Sequence, residues 1–325
     1  MIFRQLFLFL TCLFSPISQA HVQWFVAPEE MKNVHFEFDP FYLSLFLFVI
    51  LSAMLGITIT NHRNKPKILA ALISAPMNIR QHIFIMVFVI IQSLFFSLQV
   101  IQGGFLAPNI VLAPEYLSVG LVLQLAIVVS AAVSIMLSGI FVILTTLFMI
   151  IMTPFFIWVN YAFEFLSIGL FMLLCGAHVS NFDKRVIKTL RLPLPTVMWE
   201  RAVAILRIGI GLQLAILAMT EKLIYPGLAV VFIEMFPFYN IFPSIGLTQG
   251  TNMHFVFFVG MCELLLGLLL ASGVANRLSM LMATFAFVTT AIIHGMHEVE
   301  GHLPIFAAAF VLLLAQQNGN YKQSY

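Results

Sequence analysis

The sequence predicts an all-α, polytopic membrane protein of about nine transmembrane helices. Three observations carry that expectation. Hydrophobic residues fill 62% of the 325 positions and charged residues only 9%, with a mean hydropathy of +1.05. A soluble chain of this length needs far more polar surface. Apolar runs of about 18 residues or more recur, the length a helix needs to cross the hydrocarbon core. Finally, Lys and Arg gather in a few blocks between those runs, as expected of cytoplasmic loops.

The composition also excludes several function classes. Of the three cysteines, Cys12 lies in a leader-like segment, while Cys175 and Cys262 sit inside apolar runs. Without a C-x-x-C there is no basis for a thioredoxin-like redox pair or covalent c-type haem attachment. No phosphate-binding loop or dinucleotide glycine fingerprint is present. The outer side has no basic patch to track a polyanion, so the expected partner is the lipid bilayer and not nucleic acid.

The chain opens with a signal-peptide pattern over residues 1–20. Arg4 precedes the apolar stretch Leu6 to Phe14, and Ser18-Gln19-Ala20 offers small residues at −3 and −1. Cleavage after Ala20 would make His21 the first residue of the mature chain; the alternative is an uncleaved anchor. Either way the segment 21–40 is expected outside the cytoplasm. An N-terminal His would present an α-amine and an imidazole together, a pair suited to copper.

The first mature span is expected from about residue 41 to 60. It ends at the basic block Asn61-His62-Arg63-Asn64-Lys65-Pro66-Lys67, which faces inward by the positive-inside rule. A second span over roughly 82–102 returns the chain to the outside at Gly103-Gly104. The next basic block, Lys184, Arg185, Lys188 and Arg191, is again inward. Crossings between two inward loops must be even in number. The stretch 116–177 therefore supplies an odd number, and its length suits three. The expected breaks are Ser138-Gly139 and Thr153-Pro154 to Asn160. Residues 41–177 form an N-terminal membrane unit of five spans, followed by a basic cytoplasmic loop, 178–202.

Four more spans follow at about 203–224, 254–273, 278–294 and 302–315, and 316–325 is a cytoplasmic tail. The loop 225–253 is rich in Pro and Phe and its apolar stretches are too short to span twice. It is expected to lie along the outer interface as a short helix and loop. On this map nearly every Lys and Arg is inside, Lys32 and Lys222 excepted, while nine of the thirteen acids are outside. The expected location is a bacterial inner membrane, with the N-terminus out and the C-terminus in.

Ionisable residues inside a bilayer are costly and mark candidate sites. Glu164 and Glu263 stand out, each heading a similar phrase, Glu164-Phe-Leu-Ser-Ile-Gly169 and Glu263-Leu-Leu-Leu-Gly267. Their spacing to a further glycine, Gly176 and Gly273, suggests two related four-helix units. Arg207 and Lys222 are the available counter-ions for Glu263. Its role is either a proton-relay or substrate group, or a buried tie that fixes helix register. On the outer side, His294, His297 and His302 lie close in sequence with Glu298 and Glu300, and His254 opens the neighbouring span. With His21 they form a candidate metal set, Met253 and Met296 adding thioethers suited to Cu(I). The other reading is an ordinary polar loop.

Arg207-Ile-Gly-Ile-Gly211, Thr220-Glu-Lys-Leu-Ile-Tyr-Pro226, Glu263-Leu-Leu-Leu-Gly267, Gly273 and Arg277 together resemble the DoxX-like family of integral membrane proteins. The resemblance covers about residues 200–315. It implies a C-terminal four-helix bundle over 203–315 with both ends cytoplasmic. Some relatives are subunits of thiosulfate:quinone oxidoreductases, and others associate with redox-stress or cofactor-maturation proteins. The resemblance therefore implies an accessory subunit with a redox protein partner, quinone being the cofactor of that setting. Two alternatives rest on residues alone: extracytoplasmic copper handling through the histidines, and proton-coupled transport through Glu164 and Glu263.

Overall fold

The computed structural model describes residues 22–63, 79–190, 199–274 and 276–315. Every regular element among them is helical. The helices are α1 (Pro40–Arg63), α2 (Ile79–Gln102), α3 (Pro114–Ala131), α4 (Ile135–Met152), the single turn α5 (Phe155–Trp158) and α6 (Ala162–Val179). They continue with α7 (Asn181–Thr189), α8 (Trp199–Ala218), a π turn (Met219–Ile224), α9 (Gly227–Met235), α10 (Asn252–Ser272), α11 (Asn276–His294) and α12 (Met296–Ala315). Short 3₁₀ turns lie at Val22–Trp24, Pro28–Glu30, Pro237–Tyr239 and Pro243–Ile245.

Seven helices, among them α1 to α4, are long and apolar enough to cross a membrane, or up to nine if each of two bent pairs is one span. One bent pair is α6 with α7, turning by 77°; the other is α9 with Pro237–Ile245, turning by 103°. The chain is thus a multi-pass, helical membrane protein. Helix α12, where a span was expected over 302–315, is not among the seven. Several helices keep a greasy outer face. On α1, Leu43, Leu47, Leu51 and Met54 recur at helical spacing and are exposed, which suits contact with lipid chains.

The chain folds into two compact units, each drawn from separate stretches of sequence. The first comprises residues up to Pro66 and Gly211–Glu298. The second comprises Lys67–Ile210 and the chain from Val299 onward.

In the second unit, α4 packs on α6 through glycines. A Cβ at Gly139 would lie 2.6 Å from the Gly169 carbonyl oxygen, and one at Gly176 would lie 2.6 Å from the Met136 nitrogen. This corrects the break expected at Ser138-Gly139, which lies inside α4. In a membrane helix small residues serve close approach and need not end the helix, because lipid offers no partner for a freed backbone group. The break falls instead at Ala132–Ser134, where the Ser134 hydroxyl caps α4 by accepting the Leu137 N–H at 2.9 Å. The second expected break, Thr153 to Asn160, is present and holds the turn α5.

The basic loop 178–202 is not wholly irregular, since Asn181–Thr189 is helical. Ser180 caps that helix by accepting the Asp183 N–H. Asp183 is buried and reaches back to the α3–α4 turn, bonding the Ser134 hydroxyl and accepting the Met136 N–H at 3.1 Å. Elsewhere in the unit the Tyr161 hydroxyl donates to Asn109 at 2.5 Å, tying two connecting loops. Gln124 holds Gly104 and Leu106, bonding their backbone at 2.9 Å and 3.1 Å. Leu106 has φ 59°, an unfavourable left-handed conformation for a non-glycine residue. The bonds from Gln124 help hold it there.

In the first unit, α1, α9 and α10 gather around a core that includes Tyr42, Val49, Phe232, Tyr239, Phe255 and Phe258. The loop 225–253 does contain the expected short helix, but α9 is more than a surface anchor. Leu228, Ala229, Val230, Phe232 and Ile233 are all buried. Val22 and Val26 of the N-terminal segment belong to the same core, so this segment is part of the folded unit.

Candidate functional site

The most chemically loaded place in the first unit is the π turn that follows α8. A π turn adds a residue to the helical repeat, and such bulges occur often at functional sites. Here it places two neighbouring charged residues, Glu221 and Lys222, both in the interior at 1% and 2% exposure. The Lys222 Nζ lies 2.8 Å from Glu263 Oε2 on α10, and both side chains are buried. Of the two counter-ions offered by the sequence, Lys222 is the one that pairs with Glu263. Arg207 belongs to the second unit and is only partly buried.

Glycine makes the approach feasible. A Cβ at Gly260 would lie 2.8 Å from Leu223 Cδ2 and 3.0 Å from Lys222 Cβ. Gly260, Glu263 and Gly267 follow at i, i+3 and i+7, one face of α10. Further along that face Gly267 meets Gly211 of α8, each lying where the other's Cβ would strike its carbonyl oxygen, at 2.6 and 2.7 Å. The phrases Gly-Ile-Gly211 and Glu263-Leu-Leu-Leu-Gly267 thus contain a reciprocal backbone contact. In the other glutamate phrase, Glu164 is also buried and Gly169 also meets a backbone carbonyl, that of Gly139. The last glycines differ: Gly176 is a mid-helix contact, whereas Gly273 ends α10 with φ 84°.

Glu221 faces the N-terminal segment. Its Oε2 accepts the Val22 N–H at 2.9 Å, while Lys222 and Glu263 both act on it electrostatically. Two carboxylates and one ammonium therefore share this interior. Buried ions are tolerated only with good pairing and hydrogen bonding, since each loses several kcal/mol of hydration.

The N-terminal segment is fastened at two further places. Lys32 Nζ bonds Glu234 of α9 at 2.5 Å in an exposed pair. Asp39 caps α1, accepting the Phe41 and Tyr42 N–H groups at 2.8 and 3.0 Å, and meets His254 Nε2 at 3.1 Å. The Tyr42 N–H foremost, and then the His254 imidazole, hold the Asp39 carboxyl below its ordinary range against a smaller opposing effect of burial. His254 also completes a capping box with Thr251 at the start of α10.

The histidines of the expected metal set are engaged in several different ways. His254 serves the two caps just described. His294 Nε2 bonds the Tyr239 hydroxyl at 2.7 Å and packs against Phe25, Phe232 and Phe236. His302 is buried in the second unit. His21 and the side chain of His297 lie outside the described residues. Among the described residues, no three His, Cys, Asp or Glu side chains gather as a metal site.

Sequence reasoning passed over several of these residues. Asp39-Pro40 carries a readable signature, an N-cap acid followed by Pro at the first helical position. Tyr239 and Asp183 had no local signal, because their partners are distant in sequence. No protein-family model matches the chain, and no match emerges among curated proteins or solved structures.

Proposed function

We propose that this chain is a DoxX-like protein of the bacterial inner membrane that acts as an accessory subunit of a redox or quinone-linked system. The observation behind the reading is the buried Lys222–Glu263 pair at the π turn, beside Glu221. These residues belong to the phrases that resemble the family, and the glycines of the same phrases, Gly211 and Gly267, are where the helix backbones touch. A charge pair kept inside a membrane helix bundle is a functional candidate by default. The reading places the N-terminal segment outside and the C-terminus inside, following the charge map.

Purification in a mild detergent tests it. A stoichiometric partner subunit and bound quinone are expected in the preparation. A monodisperse, lone chain without quinone would count against the reading.

The two buried carboxylates Glu164 and Glu263 favour a second reading, proton-coupled transport. Proteoliposome proton uptake that Glu164→Gln and Glu263→Gln together abolish would support it. Uptake that survives both changes would remove it.

A further inference from the structure

The ion cluster at the π turn holds more carboxylate than ammonium. Lys222 lies within electrostatic reach of Glu221 and pairs with Glu263. With all three ionised, the three side chains sum to one negative charge. Burying that excess is costly, so another cation at this place would stabilise the unit.

The chain supplies a source of one. Glu221 Oε2 accepts the Val22 N–H at 2.9 Å, and Val22 has no exposed surface. Val22 is the residue after His21, and the bond before His21 is the one that the Ser18-Gln19-Ala20 pattern marks for a signal peptidase. Hydrolysis adds the water's hydroxyl to the Ala20 carbonyl and its hydrogen to the His21 nitrogen. That amine then takes up a proton from solvent. A neutral amide nitrogen has become an ammonium. Successive backbone nitrogens lie at most ~3.7 Å apart, so the new charge falls within ~7 Å of the Glu221 carboxylate.

We infer that Glu221 is the docking carboxylate for the processed N-terminus, and that removal of residues 1–20 completes the buried ion cluster with the α-ammonium of His21. The rest of the segment is built to present it there. Val26 is buried in the core of the unit, and a Cβ on Gly227 would lie 2.0 Å from the Lys32 carbonyl oxygen, so the segment lies tightly against α9. Its far end is fixed where Asp39 meets His254.

The test uses the full chain expressed with its leader and purified from membranes. Intact mass and N-terminal sequencing identify the first residue. An amine-acylating reagent at neutral pH is then applied to folded and to denatured protein, and modification of the terminal amine is quantified by peptide mapping. The expected result is His21 as first residue, with its amine protected in folded protein by about tenfold or more, since reaction requires local opening. Glu221→Gln is expected to abolish most of that protection while Lys32→Ala retains it. A first residue other than His21 would overturn the inference. Equal labelling of folded and denatured wild-type protein would do the same, as would full protection in folded Glu221→Gln. Should Glu221→Gln fail to fold, Glu221→Asp takes its place: its shorter carboxylate is expected to give partial protection, and unchanged protection would count against the docking role.

Discussion

Lys222 and Glu263 neutralise each other across 2.8 Å with both side chains buried, and they meet where Gly260 lets α10 approach the π turn. Removing one member strands the other. Lys222→Met is expected to lower stability by about 3–5 kcal/mol. The double variant Lys222→Met, Glu263→Gln should recover a large share of that loss, because no unpaired charge then remains between them. Thermal unfolding in detergent reads both. A single variant as stable as the wild type would show the pair to be dispensable.

The glycine contacts predict an order of sensitivity. Gly267→Ala places a Cβ 2.6 Å from the Gly211 carbonyl oxygen and the Ala215 nitrogen, and backbone cannot rotate aside, so a loss of roughly 1–3 kcal/mol is expected. Gly246→Ala meets nothing within 4 Å and bears only its φ of 85°, a cost of about 1 kcal/mol. Unfolding temperatures should rank Gly267→Ala below Gly246→Ala; the reverse order would refute the close packing of α8 on α10.

Asp183 ties the end of α6 and the start of α7 to the α3–α4 turn through Ser134 and the Met136 N–H. Asp183→Ala removes a buried, charge-assisted anchor, expected to cost about 1.5–3 kcal/mol. The effect should be local first. Hydrogen exchange at residues 132–137 should quicken while the amides of α10 keep their protection. Unchanged exchange at that turn would deny Asp183 the role.

Acid should loosen the N-terminal segment. The Asp39 carboxyl is held below its ordinary range by the Tyr42 N–H and by His254. A group whose folded pKa is depressed contributes stability above its unfolded value, about 3.9, and that contribution is lost as pH falls through the lower folded value. Proteolysis within residues 27–39 is thus expected to accelerate below about pH 4, and Asp39→Asn should show the fast rate already at neutral pH. Rates that are equal for wild type and variant at neutral pH would sink this account.

What could be read from the sequence follows from physical range. Helix number and placement were legible because hydropathy and charge blocks are properties of contiguous chain, and the helices α1 to α4, α6 and α8 to α11 fall where those signals put structure. Glu263 stood out for the same reason: a lone acid in an apolar run is visible without a fold. Its partner needed the fold, since Arg207 and Lys222 were equivalent on paper and the π turn decides between them. Ser138-Gly139 misled because the residues that end helices in water are the ones that let helices touch in lipid. The bond from Val22 to Glu221, and that from Tyr239 to His294, join residues with no local signature at either end.

The contact between Val22 and Glu221 also sets a timetable. Its two ends are 199 positions apart, and chains grow at about 5–20 residues per second. The first described residue of the protein therefore waits roughly 10–40 s of synthesis before its acceptor exists. Through that interval α1 to α7 can insert and pack, but the start of the chain has no seat. The first unit closes late, in an order opposite to that in which its parts are made, and an interruption anywhere before the π turn leaves its N-terminal segment without an anchor.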